Sequence, residues 1–469
     1  MHSISPALPF YAGICTPEET RRPGFSVAEA TRRLRRLAFV QRRLASIAAA
    51  HLNRTPEWEV KPALALHAWL DTEHADQLRL RLLELRENES RIAAVADPAL
   101  ASFMDEVLFA SNSSELLSAI YAVVRPALLQ AIDDYLRETN PLADQPSCRL
   151  LKIIRMEENE TLAWGRTAAQ ALCAAAPDPQ TDAYVEHLRA YLAAAGGLDG
   201  GHPYTSSGSL PPHRATKPFV PDLTPRRDRR FHGLYDTSIP ADTVYNDESR
   251  AIDERNLALL FKRVREMDVP EVIAGILSET PNRPGEYYRD MFRQMWDESR
   301  HALLGQAALE ARGVDWTTLP INVTFSYKMA KFLQAPERHV LLYAIEQSLM
   351  SARTGKRYEY DIASQSGDVL STTFHDFDWA DEVLHAAIGR HHLRSGAGVD
   401  SGLHLNDQAE ILRQAEQLVE RIAKRLKDDD IPQDAPPDDW WERFAEKTLG
   451  HPVEKVKTAH LSDWRPVSS

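Results

Sequence analysis

Cysteine is scarce: Cys15, Cys148 and Cys173 are the only three in 469 residues. They are too few and too scattered for a disulfide framework or a thiolate zinc site, and reduced, unremarkable thiols are expected. Strand signals are nearly missing as well. No series of alternating apolar and polar runs linked by Asn-Gly or Asp-Gly turns occurs, which argues against a sheet architecture. No stretch approaches the roughly 18 consecutive apolar residues of a membrane span. Met1 to Pro6 lacks the basic start and apolar stretch of a secretory signal, so the cytoplasm is the expected location and no membrane partner is expected. Positive charge is in deficit: 55 Lys and Arg against 68 Asp and Glu give −13, the wrong sign for a general nucleic-acid binder. Two basic clusters, Arg32-Arg33-Leu34-Arg35-Arg36 and Arg226-Arg227-Asp228-Arg229-Arg230, run against that balance and read as solvated surface.

What the chain has is helical periodicity. With 43% hydrophobic and 26% charged residues it has the composition of a soluble globular protein. Apolar residues recur at three- and four-residue steps near 27–52, 60–87, 99–138, 146–175 and 180–195. From Ala195 to about Ala241 the chain turns Gly-, Ser-, Pro- and Arg-rich and loses its period, which reads as a linker. Helical patterns resume near 248–279, 285–312, 325–354 and 368–394. A last amphipathic helix is expected from Asn406 to Lys427, with Ile411, Leu412, Ala415, Leu418, Val419, Ile422 and Leu426 on one stripe. An acidic loop, Asp428 to Asp439, and Trp440-Trp441 as an anchor complete the chain. The expected fold class is all-α, with domains at 1–195, 246–400 and 401–469 and the linker at 196–245.

The two helical blocks share residues at a nearly constant offset. Thr55-Pro56 matches Thr280-Pro281, and Leu116-Leu117-Ser118-Ala119-Ile120 matches Leu341-Leu342-Tyr343-Ala344-Ile345, both at 225; Gly165-Arg166 matches Gly389-Arg390 at 224. Such self-similarity suggests two copies of one helical domain.

The chemistry is concentrated in two pentapeptides of the second block, Asp297-Glu298-Ser299-Arg300-His301 and Asp381-Glu382-Val383-Leu384-His385. On a helix, three residues advance about 4.5 Å and bring side chains back to within about 60°, so each Glu and His can converge on one metal ion. A carboxylate-bridged metal pair in a four-helix bundle takes a Glu-x-x-His from each of two helices and one Glu from each of the other two. Glu346 sits in an apolar frame where an unpaired carboxylate is expensive to bury, and supplies the third helix. For the fourth, Glu266 shares a face with Leu259, Val269, Ile273 and Leu277 and is preferred, with Glu271 in reserve. Nitrogen and oxygen donors with bridging carboxylates and no Cys suit iron or manganese better than zinc.

Asp297-Glu298-Ser299-Arg300-His301 resembles the Asp-Glu-x-Arg-His motif of the ferritin-like di-iron carboxylate proteins, a resemblance that covers roughly residues 248–394. The order Glu, Glu-x-x-His, Glu, Glu-x-x-His and the spacings (298 − 266 = 32, 382 − 346 = 36) agree with it. The resemblance implies two tandem ferritin-like helical bundles plus a C-terminal helical extension. It implies a two-iron cofactor, with manganese or a mixed pair fitting the same donors, held by Glu266, Glu298, His301, Glu346, Glu382 and His385. Asp297 and Asp381 then accept hydrogen bonds from the far nitrogens of the ligating histidines, and Arg300 pairs with one of these acids. Glu346 and Tyr343, one turn earlier, stand nearest the chemistry; the ordinary reading of Tyr343, Trp296 and Trp379 is core packing. His391 and His392 are expected at the helix end, outside the site.

The implied activity is an O2-dependent oxidation of a small organic or carrier-bound substrate. Its electrons come from a separate reductase, because the chain has neither a Gly-x-Gly-x-x-Gly loop nor a Cys cluster. A ferroxidase or a metal-free scaffold are the alternatives, and a pseudo-dimeric monomer or a homodimer is the expected assembly. In the first copy the ligands are lost: Gln41 stands opposite Glu266, Tyr121 opposite Glu346, and Glu158 with Thr161 opposite Glu382 with His385. At 225, Glu73 faces Glu298 and Asp76 faces His301. A separate site built from His67, Glu73, His74 and Glu157 or Glu158 is the competing reading.

Overall fold

The computed structural model describes residues 8–95, 97–201, 210–236, 240–394, 408–425, 434 and 436–456. Helices dominate; the one β-type pairing among the described residues is an isolated bridge between His232 and Pro320. The early helices are α1 (Val27–Leu52), α2 (Val60–Glu84), α3 (Glu89–Ala93), α4 (Pro98–Leu108) and α5 (Ser113–Ser118). After α5 a π-helical turn, Ala119–Val124, leads into α6 (Arg125–Glu138), and then come α7 (Gln145–Ala175) and α8 (Pro179–Ala194). The later ones are α9 (Pro240–Asn246), α10 (Ile252–Arg265), α11 (Asp268–Glu279), α12 (Gly285–Glu310), α13 (Thr324–Phe332) and α14 (Ala335–Ser348). They are followed by α15 (Lys356–Gln365), α16 (Val369–Arg394), α17 (Gln408–Arg425) and α18 (Trp440–Leu449).

Three stretches that periodicity joins are broken, each where local chemistry favours a restart. The expected helix 99–138 stops after α4 and resumes at Asn112, whose side chain accepts from the Glu115 N–H as an N-cap does. The expected 248–279 splits at Glu266-Met267, and 325–354 at Leu333-Gln334. In both, a proline (Pro270, Pro336) falls in the first turn of the new helix, where its missing N–H costs nothing. Helix α15 has no counterpart in the sequence reading. The expected ends of the last amphipathic helix, Asn406 and Leu426-Lys427, and most of the acidic loop lie outside the described residues.

The chain divides into two units, with one boundary, Val220/Pro221, inside the expected linker and two more, at 47/48 and 69/70, that were not expected. The first holds residues up to Ile47 and Leu70–Val220; the second holds Ala48–Trp69 and Pro221–Ser469. The hairpin 48–69 joins the second unit through its own contacts. Trp58, fully buried, packs its ring 4.8 Å from that of Trp316 and 5.5 Å from that of Phe231. Lys61, also fully buried, pairs with Glu271 at 2.7 Å. Trp441 of α18 is buried beside Phe261.

The basic clusters are solvated surface only in part: Arg226, Arg229 and Arg230 are exposed as expected, whereas Arg33, Arg36 and Arg227 are buried. Arg36 is buried and donates to the carbonyls of Ala195, Gly197 and Leu198, each at 2.8 Å, just past the end of α8, where helix carbonyls lack intrahelical donors. Arg33 reaches Asp199 at 2.7 Å. Arg227 is buried against Glu271, and Arg230 forks onto Glu59. Parts of the expected linker are likewise pinned: Arg214 makes two 2.6 Å bonds to the buried Glu115 of the first unit. One segment, Ser113–Glu138, is long and apolar enough to cross a membrane, and 72% of its window is buried inside the protein, the pattern of a core helix.

Candidate metal centre

Four helices of the second unit carry the site. Helix α12 packs on α10, α11 and α16, and α16 packs on α14 and α15. Close approach of α12 and α10 depends on Gly305, one turn after His301: a Cβ there would lie 2.5 Å from the Val264 backbone nitrogen. Gly389, one turn after His385, plays the same part against the Tyr343 ring, 2.6 Å from where its Cβ would be.

Within this frame two groups of donors converge and share Glu298. Glu298, Glu346, Glu382 and His385 form one; Glu266, Glu298 and His301 form the other, and in each the ligand atoms lie within 4.8 Å of one another. Five of these six residues are at most 3% exposed; the Glu266 side chain is 13% exposed. Glu271, the reserve candidate, lies elsewhere, in the ion-pair network of Lys61 and Arg227. His301 Nδ1 lies 3.5 Å from Glu298 Oε2 and 3.7 Å from Glu266 Oε2, and His385 Nδ1 lies 3.0 Å from Glu298 Oε1 and 3.4 Å from Glu382 Oε2.

The far side of each imidazole faces an aspartate from the opposite motif. His301 Nε2 is 3.1 Å from Asp381 Oδ2, and His385 Nε2 is 3.5 Å from Asp297 Oδ2. Arg300 ties the two together, donating to Asp297 at 2.8 Å and Asp381 at 2.6 Å. Tyr343 is buried, but its hydroxyl donates to Gln347 at 3.3 Å and not to any of the six. His392 pairs with Asp290 and the exposed His391 lies near Glu286, both away from the site. Trp379 packs beside Tyr360, and Trp296 is half-buried.

Four neighbours escaped the sequence reading. Asp378, one turn before Glu382, lies 3.2 Å from His301 Nδ1. It belongs to a third donor group with His301 and Glu382. Its signal was available, since His375, Asp378, Glu382 and His385 run at three- and four-residue steps along one buried stripe of α16. Gln294 donates to Glu346 at 3.1 Å. Arg263 reaches Asp378 at 2.6 Å and Glu266 at 2.8 Å, and Lys356 reaches Glu382 at 2.7 Å and Asp378 at 2.8 Å.

Electrostatics follow from burying so many acids together. Burial, then the Glu382 carboxylate, pushes Glu346 well above the usual carboxylate range, and burial carries Glu266 up to about 7. Burial, then the Glu382 carboxylate, also push Glu298 up, but the neighbouring His301 and His385 imidazoles outweigh them and leave Glu298 low. For His301, burial works against the charged form, yet Asp378 and Asp381 more than reverse this and raise it to about 10. Glu346, Glu266 and His301 are thus shifted toward their protonated forms, with which a metal would compete.

The donors fit a metal pair. Glu298 Oε1, Glu382 Oε2, His301 Nδ1 and His385 Nδ1 are buried with no hydrogen-bond partner, an arrangement that is costly unless a cation is shared among them. Oxygen and imidazole donors suit iron or manganese; Asp381 bonds the outer nitrogen of His301, and Asp297 stands 3.5 Å behind His385, whose Nε2 has no hydrogen-bond partner.

The first unit carries a related cluster in a different register from the one expected. Asp71, His74 and Glu158 converge, and Glu73 and Asp76 do not join them; Asp76 pairs with Arg79. Asp71 and His74 are spaced as Glu298 and His301 are, three residues apart, at an offset of 227 (298 − 71 and 301 − 74), and two residues along a helix turn a side chain to a different face. His74 Nε2 donates to Glu157 at 2.5 Å, as His301 does to Asp381, and Gln41 donates to Glu158 at 3.1 Å. His67 is buried but is not part of the cluster. Compared with models of protein families, with curated proteins and with solved structures, the chain finds no match.

Proposed function

We propose that the chain is an O2-dependent di-iron oxidoreductase acting on a small organic or carrier-bound substrate, built from two ferritin-like bundles of which the first has lost its ligand set. The observation that carries the reading is the pair of donor groups sharing Glu298, with each histidine backed by an aspartate of the other motif. Glu266, Glu298 and His301 would hold one ion and Glu298, Glu346, Glu382 and His385 the other. Ferrous ions held there would supply electrons for dioxygen activation.

The protein's own contribution is positional. Asp297, Asp381 and Arg300 hold both imidazoles with Nδ1 directed inward. Met291, Phe292 and Met295 of α12 are buried and help to exclude bulk water from the helix that carries Glu298 and His301, which strengthens every charge interaction there. Glu346 accepts a hydrogen bond from Gln294 at 3.1 Å, which fixes the orientation of its carboxylate. Electrons for turnover come from a separate reductase.

The test is metal analysis followed by oxygen exposure. The purified chain is expected to hold iron that falls sharply in His301→Ala and His385→Ala, and the anaerobic Fe(II)-loaded protein is expected to change its near-ultraviolet and visible absorption on mixing with O2. A chain that takes up no iron, or that takes it up equally with both histidines removed, sinks the reading.

A further inference from the structure

We propose that Lys356 is an internal stand-in for one of the two metals: the position at Glu298, Glu346, Glu382 and His385 fills first, and the position at Glu266, Glu298 and His301 fills only when the Lys356 ammonium is displaced. The inference rests on the reading of this cluster as a metal centre. Lys356 is the first residue of α15 and is fully buried. Its Nζ lies 2.7 Å from Glu382 Oε1, 2.8 and 3.0 Å from the two Asp378 oxygens, and 3.6 Å from Glu266 Oε1. All three acids surround His301, whose Nδ1 is within 3.8 Å of each.

The two positions differ in what their donor atoms are already doing. On the His385 side, Glu298 Oε1, Glu382 Oε2 and His385 Nδ1 have no hydrogen-bond partner. On the His301 side only the imidazole nitrogen is in that state. Glu266 Oε2 accepts from Arg263, Asp378 accepts from both Arg263 and Lys356, and Glu382 turns its Oε1 to Lys356. Glu382 is thus divided, one oxygen open toward His385 and the other held by an ammonium. A metal entering beside His301 has to share the pocket with that ammonium, which stands 3.6 Å from Glu266 Oε1 and is bonded to the Asp378 and Glu382 oxygens that flank the imidazole, and in a buried site a neighbouring unit charge weighs heavily.

The first unit shows the same device in a form that cannot be withdrawn. Arg125 is buried there and donates to Glu158, the counterpart of Glu382, at 2.7 Å, and through two nitrogens to Asp71 at 3.1 and 2.8 Å. A guanidinium is always charged and grips carboxylates with a rigid fork, whereas an ammonium is a single point on a flexible stem. Arginine closes the first cluster to metal; lysine leaves the second conditional.

The probe is Co(II) added to the metal-free full-length chain, followed by its visible bands and by equilibrium dialysis. The wild type is expected to bind two Co(II) in separate steps, the tighter lost in His385→Ala and the weaker in His301→Ala. Lys356→Met is expected to tighten the weaker step by roughly tenfold or more, the effect of removing one buried competing charge. Lys356→Arg, which gives the second cluster the kind of cation that Arg125 gives the first, is expected to abolish that step and leave one Co(II) per chain; it keeps the cation and its partners, so its thermal melt should match the wild type. Two Co(II) bound with wild-type affinities in both Lys356 variants overturns the inference while leaving the metal-centre reading intact. No Co(II) bound by the wild type overturns both.

Discussion

Each histidine of the second-unit cluster is backed by a carboxylate from the other helix, Asp381 behind His301 and Asp297 behind His385. An error in one motif is therefore felt at the metal held by the other. Asp297→Asn is expected to weaken metal at the His385 position by about 10–100-fold, the usual effect of losing an outer carboxylate, with a smaller effect at His301 although Asp297 is in the His301 motif. Metal titration in a His301→Ala background, where only the other position remains, measures it. The first unit offers a second residue-scale test through pH. His74 is buried; burial disfavours its charged form, but Glu157 and Glu158 reverse this and raise it to about 9. Because the folded value is above the unfolded one, the stabilisation is complete below about 6.5 and is lost as pH rises through about 9. The drop in melting temperature between pH 6.5 and 9.5 is expected to be larger in the wild type than in His74→Gln.

At the scale of helices, the site exists because α12 and α16 approach their neighbours over glycine. Gly305→Ala puts a methyl 2.5 Å from the backbone of α10, and backbone cannot swing aside as a side chain does. A loss of about 1–3 kcal/mol, typical of overpacking, is expected in denaturant unfolding of the second unit, with metal lost first from the Glu266 and His301 position beside α10. Helix existence and most helix spans were legible because apolar residues at period 3.6 are a direct record of a buried face. Glu298, His301, Glu382 and His385 were legible for the same geometric reason. Breaks at Glu266 and Gln334 were harder, since the apolar period continues through them and only Pro270 and Pro336 mark the restart. In the first unit the near-constant offset of 225, ambiguous by one residue around Glu73, did not pick out Asp71, which converges with His74 and Glu158. Lys356 left no trace at all: a lysine opening a short helix carries no sign that its ammonium turns inward.

At the scale of the whole molecule, the two units are interleaved in sequence: 48–69 belongs to the second while the residues on either side belong to the first. Trp58 is the clearest case, fully buried among Phe231 and Trp316 and donating to Gln306 at 3.0 Å. Trp58→Ala is expected to destabilise the second unit by about 3–5 kcal/mol and to lower bound metal, although residue 58 is 208 positions before the first ligand, Glu266 (266 − 58). Denaturant unfolding followed by tryptophan emission, with metal content on the same samples, checks both.

That interleaving also sets a timetable for biosynthesis. Trp58 leaves the ribosome 173 residues before Phe231 and 258 before Trp316 (231 − 58, 316 − 58). At about 5–20 residues per second the later partner follows roughly 13–50 s behind. Once residue 220 has emerged, the first unit to which the flanking residues belong is complete in sequence, while the hairpin's apolar surface still waits for Phe231 and Trp316. A nascent chain stalled between residues 220 and 316 should accordingly present 48–69 as its main chaperone-binding segment, and the metal ligands of α12 and α16 can assemble only after that early segment has been claimed.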